Sequence, residues 1–395
     1  MQHNLIRIMP AIFLFAAVFP AFGQAPSLVT PPRVQQMPAP PPEYAVQGRL
    51  MRGRILVPVH LNGAGPHFFL LDLSTPQPVV DTRIAAQLGL RPDGETLEAD
   101  DPAGRPVRAQ VSEAVLNYGN VPAERARLVV HDLQAISQWL GMQVAGVLPG
   151  HRPGLEVTLD FVTGVVEWRP LETALLQRED EHTLRMRIDE QGAPTIPVLL
   201  ERRHLLQLQL DLACSGAVGL RPATLRELGI GGDAPRLEVL NSRQAQVRLN
   251  ELSAGGKAVL RPLCTVLPEE SPDRLGLGFL EHFRLTLNYE SGLCRLTPIS
   301  AEAFSEPPLT GYGIAPHRMD SGYWRLHVVS PSPAAAAGIM TGDYLLGVNG
   351  GDAAHSAHAT VARLLSAPPG TPVALTIGRG NQRQTFQLVS AEYFP

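Results

Sequence analysis

The chain has 395 residues, 44% hydrophobic and 18% charged, with a formal net charge of −4. That length supports two or three globular domains. The charge is spread rather than blocked and no basic-aromatic pattern tracks a phosphate backbone, so neither nucleic acid nor an anionic membrane surface is expected as partner.

The start, "MQHNLIRIMPAIFLFAAVFPAFGQA", reads as a signal peptide over residues 1–23. Arg7 supplies the positive end, Ala11 to Phe22 the apolar run, and Ala21 and Gly23 the small residues before a cut at Gln24. The run is shorter than the roughly 20 residues that a membrane span needs. A buried N-terminal helix is the rival reading, and the Pro-rich sequence that follows at once weakens it. The expectation is export to the periplasm or beyond, with no stable membrane anchor. Residues 24–43, "QAPSLVTPPRVQQMPAPPPE", read as an exposed Pro-rich linker.

From Tyr44 the chain alternates apolar and polar residues in strand fashion, and then repeats itself. "ILVPVHLNGAGPHFFLLDLS" parallels "PTIPVLLERRHLLQLQLDLA". Pro58 precedes Asp72 by 14 residues, as Pro197 precedes Asp211 (72 − 58 and 211 − 197). Each aspartate follows an apolar strand and precedes small, turn-prone residues. A short helix ending in Leu-Gly comes next, in "DTRIAAQLGL" and "RPATLRELGI". The halves close on "GLEVTLDFVTGVVEWRP" and "HFRLTLNYESGLCRLTP", where Thr158 matches Thr286, Gly164 matches Gly292 and Pro170 matches Pro298. The first half is longer in the middle, and "RPDGETLEADDPAGRPVRAQ" reads as the extra hairpin. Each half is expected to be β-rich with one short helix. The charged segment "LQREDEHTLRMR" joins them, and composition shifts again near Ser305.

Two β-rich halves with "LDLSTPQPVV", "AAQLGL", "GVLPG" and "VTLDF" in one, and "LDLACSGAVGL", "RELGI", "LGLGFL" and "LTLNY" in the other, resemble the retropepsin-like aspartic peptidases. The last stretch resembles a bacterial PDZ domain. "SPSPAAAAGIMTGDYLLGVNG" carries its Ser-Pro-Ala, Ala-Gly, Gly-Asp and Val-Asn-Gly landmarks, and "GYGI" its carboxylate-binding loop. The resemblance implies a mainly β fold. A two-lobed retropepsin-like acid-protease β-barrel domain (lobes 44–171 and 185–300) is followed by a PDZ domain, a small α+β barrel, over 305–391. "GLGF" at 276–279 resembles a second PDZ loop but holds the place of the Gly-rich turn in the repeat.

The peptidase resemblance implies a catalytic pair, Asp72 and Asp211. Two carboxylates a hydrogen bond apart cannot both ionise, so they share a proton and activate water against a peptide carbonyl. The residues behind them depart from the family. Leu73 and Leu212 stand where a Thr or Ser hydroxyl would bond across the lobes, and Ser74 and Ala213 stand where glycine is usual. The expected function is therefore an exported peptidase-like protein that binds extended peptides between its lobes, with proteolysis weak or lost. The alternatives are an active aspartic endopeptidase whose PDZ domain recruits substrate, and an assembly protein using both modules as contact surfaces. The plainer role for each aspartate is to close a turn through backbone N–H groups.

The PDZ resemblance implies that Gly311, Tyr312, Gly313 and Ile314 hold the carboxylate of a partner's C-terminus while the peptide adds to the following strand. Pro316 removes one donor from that strand. His355 and His358 stand near the start of the second PDZ helix. No metal and no cofactor is expected, because no Cys/His pair has ligand spacing and no phosphate-cradling motif occurs. Cys214-Ser215 could suggest a thiol nucleophile, but a buried structural cysteine is the better reading. An oxidising compartment would permit one disulfide among Cys214, Cys264 and Cys294 and leave one thiol.

Overall fold

The computed structural model describes residues 44–394, apart from 101–105, 177–179, 181, 190–191, 232–235, 240–244, 301–303, 320, 354–355, 357–359, 362–364 and 366. The expected signal peptide (1–23) and Pro-rich linker (24–43), with His355 and His358, lie outside the described residues. The fold is mainly β, and the chain forms two compact units that divide near residue 306.

In the first unit the sequence repeat becomes a structural one. Strands Arg54–Leu61 and Ala64–Asp72 form a hairpin, and so do Pro194–Leu200 and His204–Asp211. Pro58 faces Phe68 in one and Pro197 faces Gln207 in the other. The first turn uses Asn62-Gly63, both at positive φ, which the tight hairpin turn demands. The second puts Glu201 and Arg202 in the same left-handed region, and the Asn250 N–H donates to Glu201 Oε1 at 2.7 Å.

Each aspartate-bearing strand then pairs in parallel with a strand from much later in its lobe. Asp72 stands opposite Pro149, and Asp211 opposite Gly276. The strand after each aspartate loop, Val79–Asp81 or Val218–Leu220, packs antiparallel on the other side of that same partner. Helices Thr82–Gln87 and Pro222–Glu227 follow, each passing through a leucine to a glycine at positive φ, Gly89 or Gly229. The extra length of the first lobe is a long hairpin, Pro92–Asp100 with Pro106–Asn117. One helix per lobe was expected, and each has a second: Gln134–Leu140 in the first and the single turn Leu277–Leu280 in the other. The "GLGF" stretch opens that turn. Its Gly276 lies so close to the Asp211 loop that a Cβ would stand 2.2 Å from Gly216 O.

A six-stranded sheet joins the lobes. At its centre Leu155–Asp160 pairs antiparallel with Phe283–Asn288, with Thr158 opposite Thr286 and their hydroxyls 3.0 Å apart. The two threonines mark a local twofold. Around it lies one continuous apolar core drawn from both lobes.

The second unit is a small β structure with its own core. Ile314–Arg318 pairs with Trp324–Ser330, which pairs with Tyr344–Val348, then Pro372–Arg379 and Gln382–Val389. Trp324, Leu326, Val328, Leu345, Leu375 and Ile377 are buried between them. The landmark residues do local work. Ser332 caps the turn Pro333–Ala336 by accepting from Ala335 N, and Asp343 binds Arg379 and the Met340 N–H. Asn349 Oδ1 accepts from Ala374 N.

Candidate functional site

Asp72 and Asp211 end equivalent strands of the two lobes, and both are buried, at 7% and 1% exposure. Their surroundings differ. Asp72 Oδ2 accepts hydrogen bonds from Ser74 Oγ at 2.9 Å and Thr75 Oγ1 at 2.5 Å. Its Oδ1 is buried and accepts none from the described residues. Burial pushes the Asp72 carboxyl above its usual range, the charge of Asp211 pushes the same way, and the Thr75 and Ser74 hydroxyls with the Ser74 N–H oppose them. Burial prevails, so the net direction is upward.

Asp211 is held in an ion pair. Its Oδ1 accepts from the N–H groups of Ala213 at 2.7 Å and Cys214 at 3.2 Å, which is the turn-closing role weighed in the sequence. Its Oδ2 takes Arg274 at 2.9 Å, with both side chains sealed from solvent at 1% and 2% exposure. The local twofold shows what is unusual here. Arg274 lies opposite Gln209 in the strand beside Asp211, and the corresponding residue beside Asp72 is Val147, opposite Leu70. One lobe carries a guanidinium where the other carries an isopropyl group.

A second guanidinium crosses from the other lobe. Arg54, 3% exposed, donates to Ala213 O at 3.0 Å and Ser215 Oγ at 2.9 Å, and its charged end lies 4.4 Å from the centre of the Trp139 ring. Arg54 thus ties the Asp211 loop to the first lobe, a task that no hydroxyl at Leu73 or Leu212 can perform. Those leucines are instead core residues at 2% and 3% exposure. Leu73 fills the space above Gly150, where a Cβ would come within 2.5 Å of its Cδ2.

Tyr289 completes the surroundings of Asp72. Gly150 N–H donates to Asp72 O at 2.7 Å, and the next residue, His151, stacks on Tyr289 with ring centres 4.3 Å apart. The Tyr289 hydroxyl is buried without a hydrogen-bond partner among the described residues. Neither Arg274, Arg54 nor Tyr289 was singled out in the sequence. Arg274 had a signal, a charge at a repeat position that is apolar in the other half.

All three cysteines are free thiols, so the single disulfide that the sequence permits does not form. Burial pushes the Cys214 thiol up to about 12, which leaves it inert as a nucleophile. Among the described residues no group of three or more His, Cys, Asp or Glu side chains is placed to hold a metal ion. None of their helices is long and apolar enough to cross a membrane.

In the second unit the loop residues Gly311 and Gly313 have φ of 116° and 72°. A Cβ on Gly313 would stand 2.1 Å from Ser332 Cβ, so the loop needs glycine there. Tyr312 is an anchor, 1% exposed, with its hydroxyl donating to Thr371 O at 3.0 Å. Val329 N–H donates to Gly313 O at 3.0 Å, and Ile314 faces Val328. By the alternation of antiparallel pairs, Ile314, Pro316 and Arg318 then direct their backbone nitrogens to the strand's other edge. The donor that Pro316 lacks is therefore missing on the edge away from Trp324–Ser330.

Residues 327–379 match the family model of a PDZ domain, and PDZ domains bind peptide C-termini by strand addition. Among solved structures, the chain is similar to basic 7S globulin from soybean, at 10% identity over 64% of this chain and 94% of that one, with a TM-score of 0.40. It is also similar to a retropepsin-like aspartic protease from Rickettsia conorii, at 17% identity over 29% of this chain and 87% of that one, with a TM-score of 0.24. No curated protein matches it.

Proposed function

We propose that this is an exported peptide-binding protein built on an aspartic-peptidase-like scaffold, with proteolysis at Asp72 and Asp211 weak or lost. The observation that carries this reading is the buried ion pair between Asp211 and Arg274, at 2.9 Å. A catalytic carboxylate pair works because two like charges share one proton and one water. A guanidinium bound to Oδ2 and two N–H groups on Oδ1 occupy both oxygens of Asp211, which leaves neither free to share a proton and a water with Asp72. Asp72, whose carboxyl burial pushes upward, is left without a partner oxygen free to share a proton and a water.

An extended peptide would lie between the lobes, beside the two aspartate loops. A partner's C-terminus would add to Ile314–Arg318, its carboxylate at Gly311, Tyr312, Gly313 and Ile314. It would pair without the donor missing at Pro316. The test is cleavage of a fluorogenic peptide library between pH 3 and 8 by the full chain and by its Asp72→Asn variant. No cleavage by either, with library peptides still bound, is expected. Cleavage by the parent that disappears in Asp72→Asn would establish an active endopeptidase instead.

A further inference from the structure

The strand Ile314–Arg318 turns two faces to its surroundings. Ile314 and Pro316 stand opposite Val328 and Leu326, both buried in the core of the second unit. Ala315 and His317 stand opposite His327 and Arg325, and these four share the outward face. The row of His317 and Arg325 continues through Tyr344 and Gly378 to Arg383. Neither row contains a carboxylate.

Three basic side chains therefore crowd one patch. The His317 and His327 rings meet edge to face, with centres 6.3 Å apart. Burial holds His327 below its ordinary range, and the charges of His317 and Arg325 push it the same way. Arg318, the other basic residue of the strand, is engaged elsewhere, its charged end 5.2 Å from the centre of the Trp324 ring. Like charges gathered without a counter-charge in their own rows favour an anion from outside.

The register of an added peptide decides which of its residues supplies that anion. Ile314, Pro316 and Arg318 turn their main-chain groups to the free edge, so a peptide carboxylate that accepts from the Ile314 N–H sets the last residue opposite Ile314. Counting back, the fourth residue from the end stands opposite His317. No ladder bond joins that pair, and in such pairs the Cα atoms come within about 4.5 Å and the side chains lie close. We infer that the C-terminus taken by this domain carries Asp or Glu at its fourth residue from the end, paired with His317 and backed by Arg325 and His327. This rests on strand addition at Ile314–Arg318 as proposed above.

The test screens the full chain against an array of hexapeptides with free C-termini, each position varied over every residue type, and titrates the best binder by fluorescence anisotropy. Glu at the fourth position from the end should bind about two- to fivefold more tightly than Gln there, the range for one opposed charge pair on a sheet. His317→Glu should reverse the choice, making Lys the better residue at that position alone, and Arg325→Gln should shrink the preference for Glu. Equal binding of Glu and Gln peptides, or a preference for Glu that survives His317→Glu, overturns the inference and leaves strand addition standing. Variants that weaken all peptides alike assign these side chains to structure and also overturn it. Failure of every free-C-terminus peptide to bind overturns strand addition and the acidic preference together.

Discussion

Replacing Arg274 by methionine removes the charge and keeps much of the volume, which strands the Asp211 carboxylate at 1% exposure. At 2.9 Å the attraction is about 6 kcal/mol for an effective dielectric near 20, which sets a ceiling. Breaking a buried pair by removing one partner costs about 3–5 kcal/mol, so Arg274→Met should lose about that much at pH 7. The two N–H groups on Oδ1 remain and favour the lower half of the range. In the variant the stranded carboxylate gains by taking a proton, so the loss should shrink on acidification. Urea unfolding at pH 4 and pH 7 measures both effects. Adding Asp211→Asn closes a double-mutant cycle, and the double variant should recover most of the loss. A loss under about 1 kcal/mol, a loss independent of pH, or additive single variants would refute the argument that Arg274 neutralises Asp211.

Asp72→Asn should become more stable than the parent as pH rises. The native carboxyl holds its proton above its ordinary value of 3.8, so parental stability falls from there upward, while the amide has no such slope. Parallel urea-midpoint profiles between pH 3.5 and 8 would contradict this. Glu306 gives a second slope. Burial pushes its carboxyl up to about 7 against the Arg248 guanidinium and the Leu263 N–H, so stability should fall between pH 4.5 and 7, by on the order of 3 kcal/mol at most. Glu306→Gln should flatten that part of the profile, and a slope unaltered by the substitution would count against it. Pro316→Ala restores a donor to the edge of Ile314–Arg318 and should tighten binding of free-C-terminus peptides about three- to tenfold by isothermal titration. Equal affinity would show that ligands do not add to that edge.

Much of the fold was legible because the repeat carries its own register. Pro58 and Pro197 occupy matching hairpin positions, and the Leu-Gly pairs 88–89 and 228–229 end matching helices. The same repeat brought Asp72 and Asp211 to equivalent places. It could not reveal how differently they are held, because the decisive groups come from far along the chain. Arg274 is 63 residues from Asp211, and Arg54 is 159 residues from the carbonyl of Ala213 that it holds. A lone arginine before an apolar run reads as a solvated strand end, and only its mate Val147 marks it as out of place. Tyr289 differs from Phe161 by one oxygen, which no periodicity registers. The second helix of the second lobe was missed for a local reason, since Leu277–Leu280 is a single turn of apolar residues between strands.

The threonine contact at the local twofold has a consequence for what half of this chain would be. Leu155–Asp160 finds its central partner only in the other lobe, with Thr158 at the point of symmetry. A first lobe made alone would leave one edge of that strand unpaired, and with it Val157 and Leu159, apolar residues of the strand that the whole chain keeps at 1% and 0% exposure. The full chain carries the partner of that strand in the same polypeptide. Two separate copies of the motif in one chain let the strand beside one aspartate carry valine and the strand beside the other carry arginine.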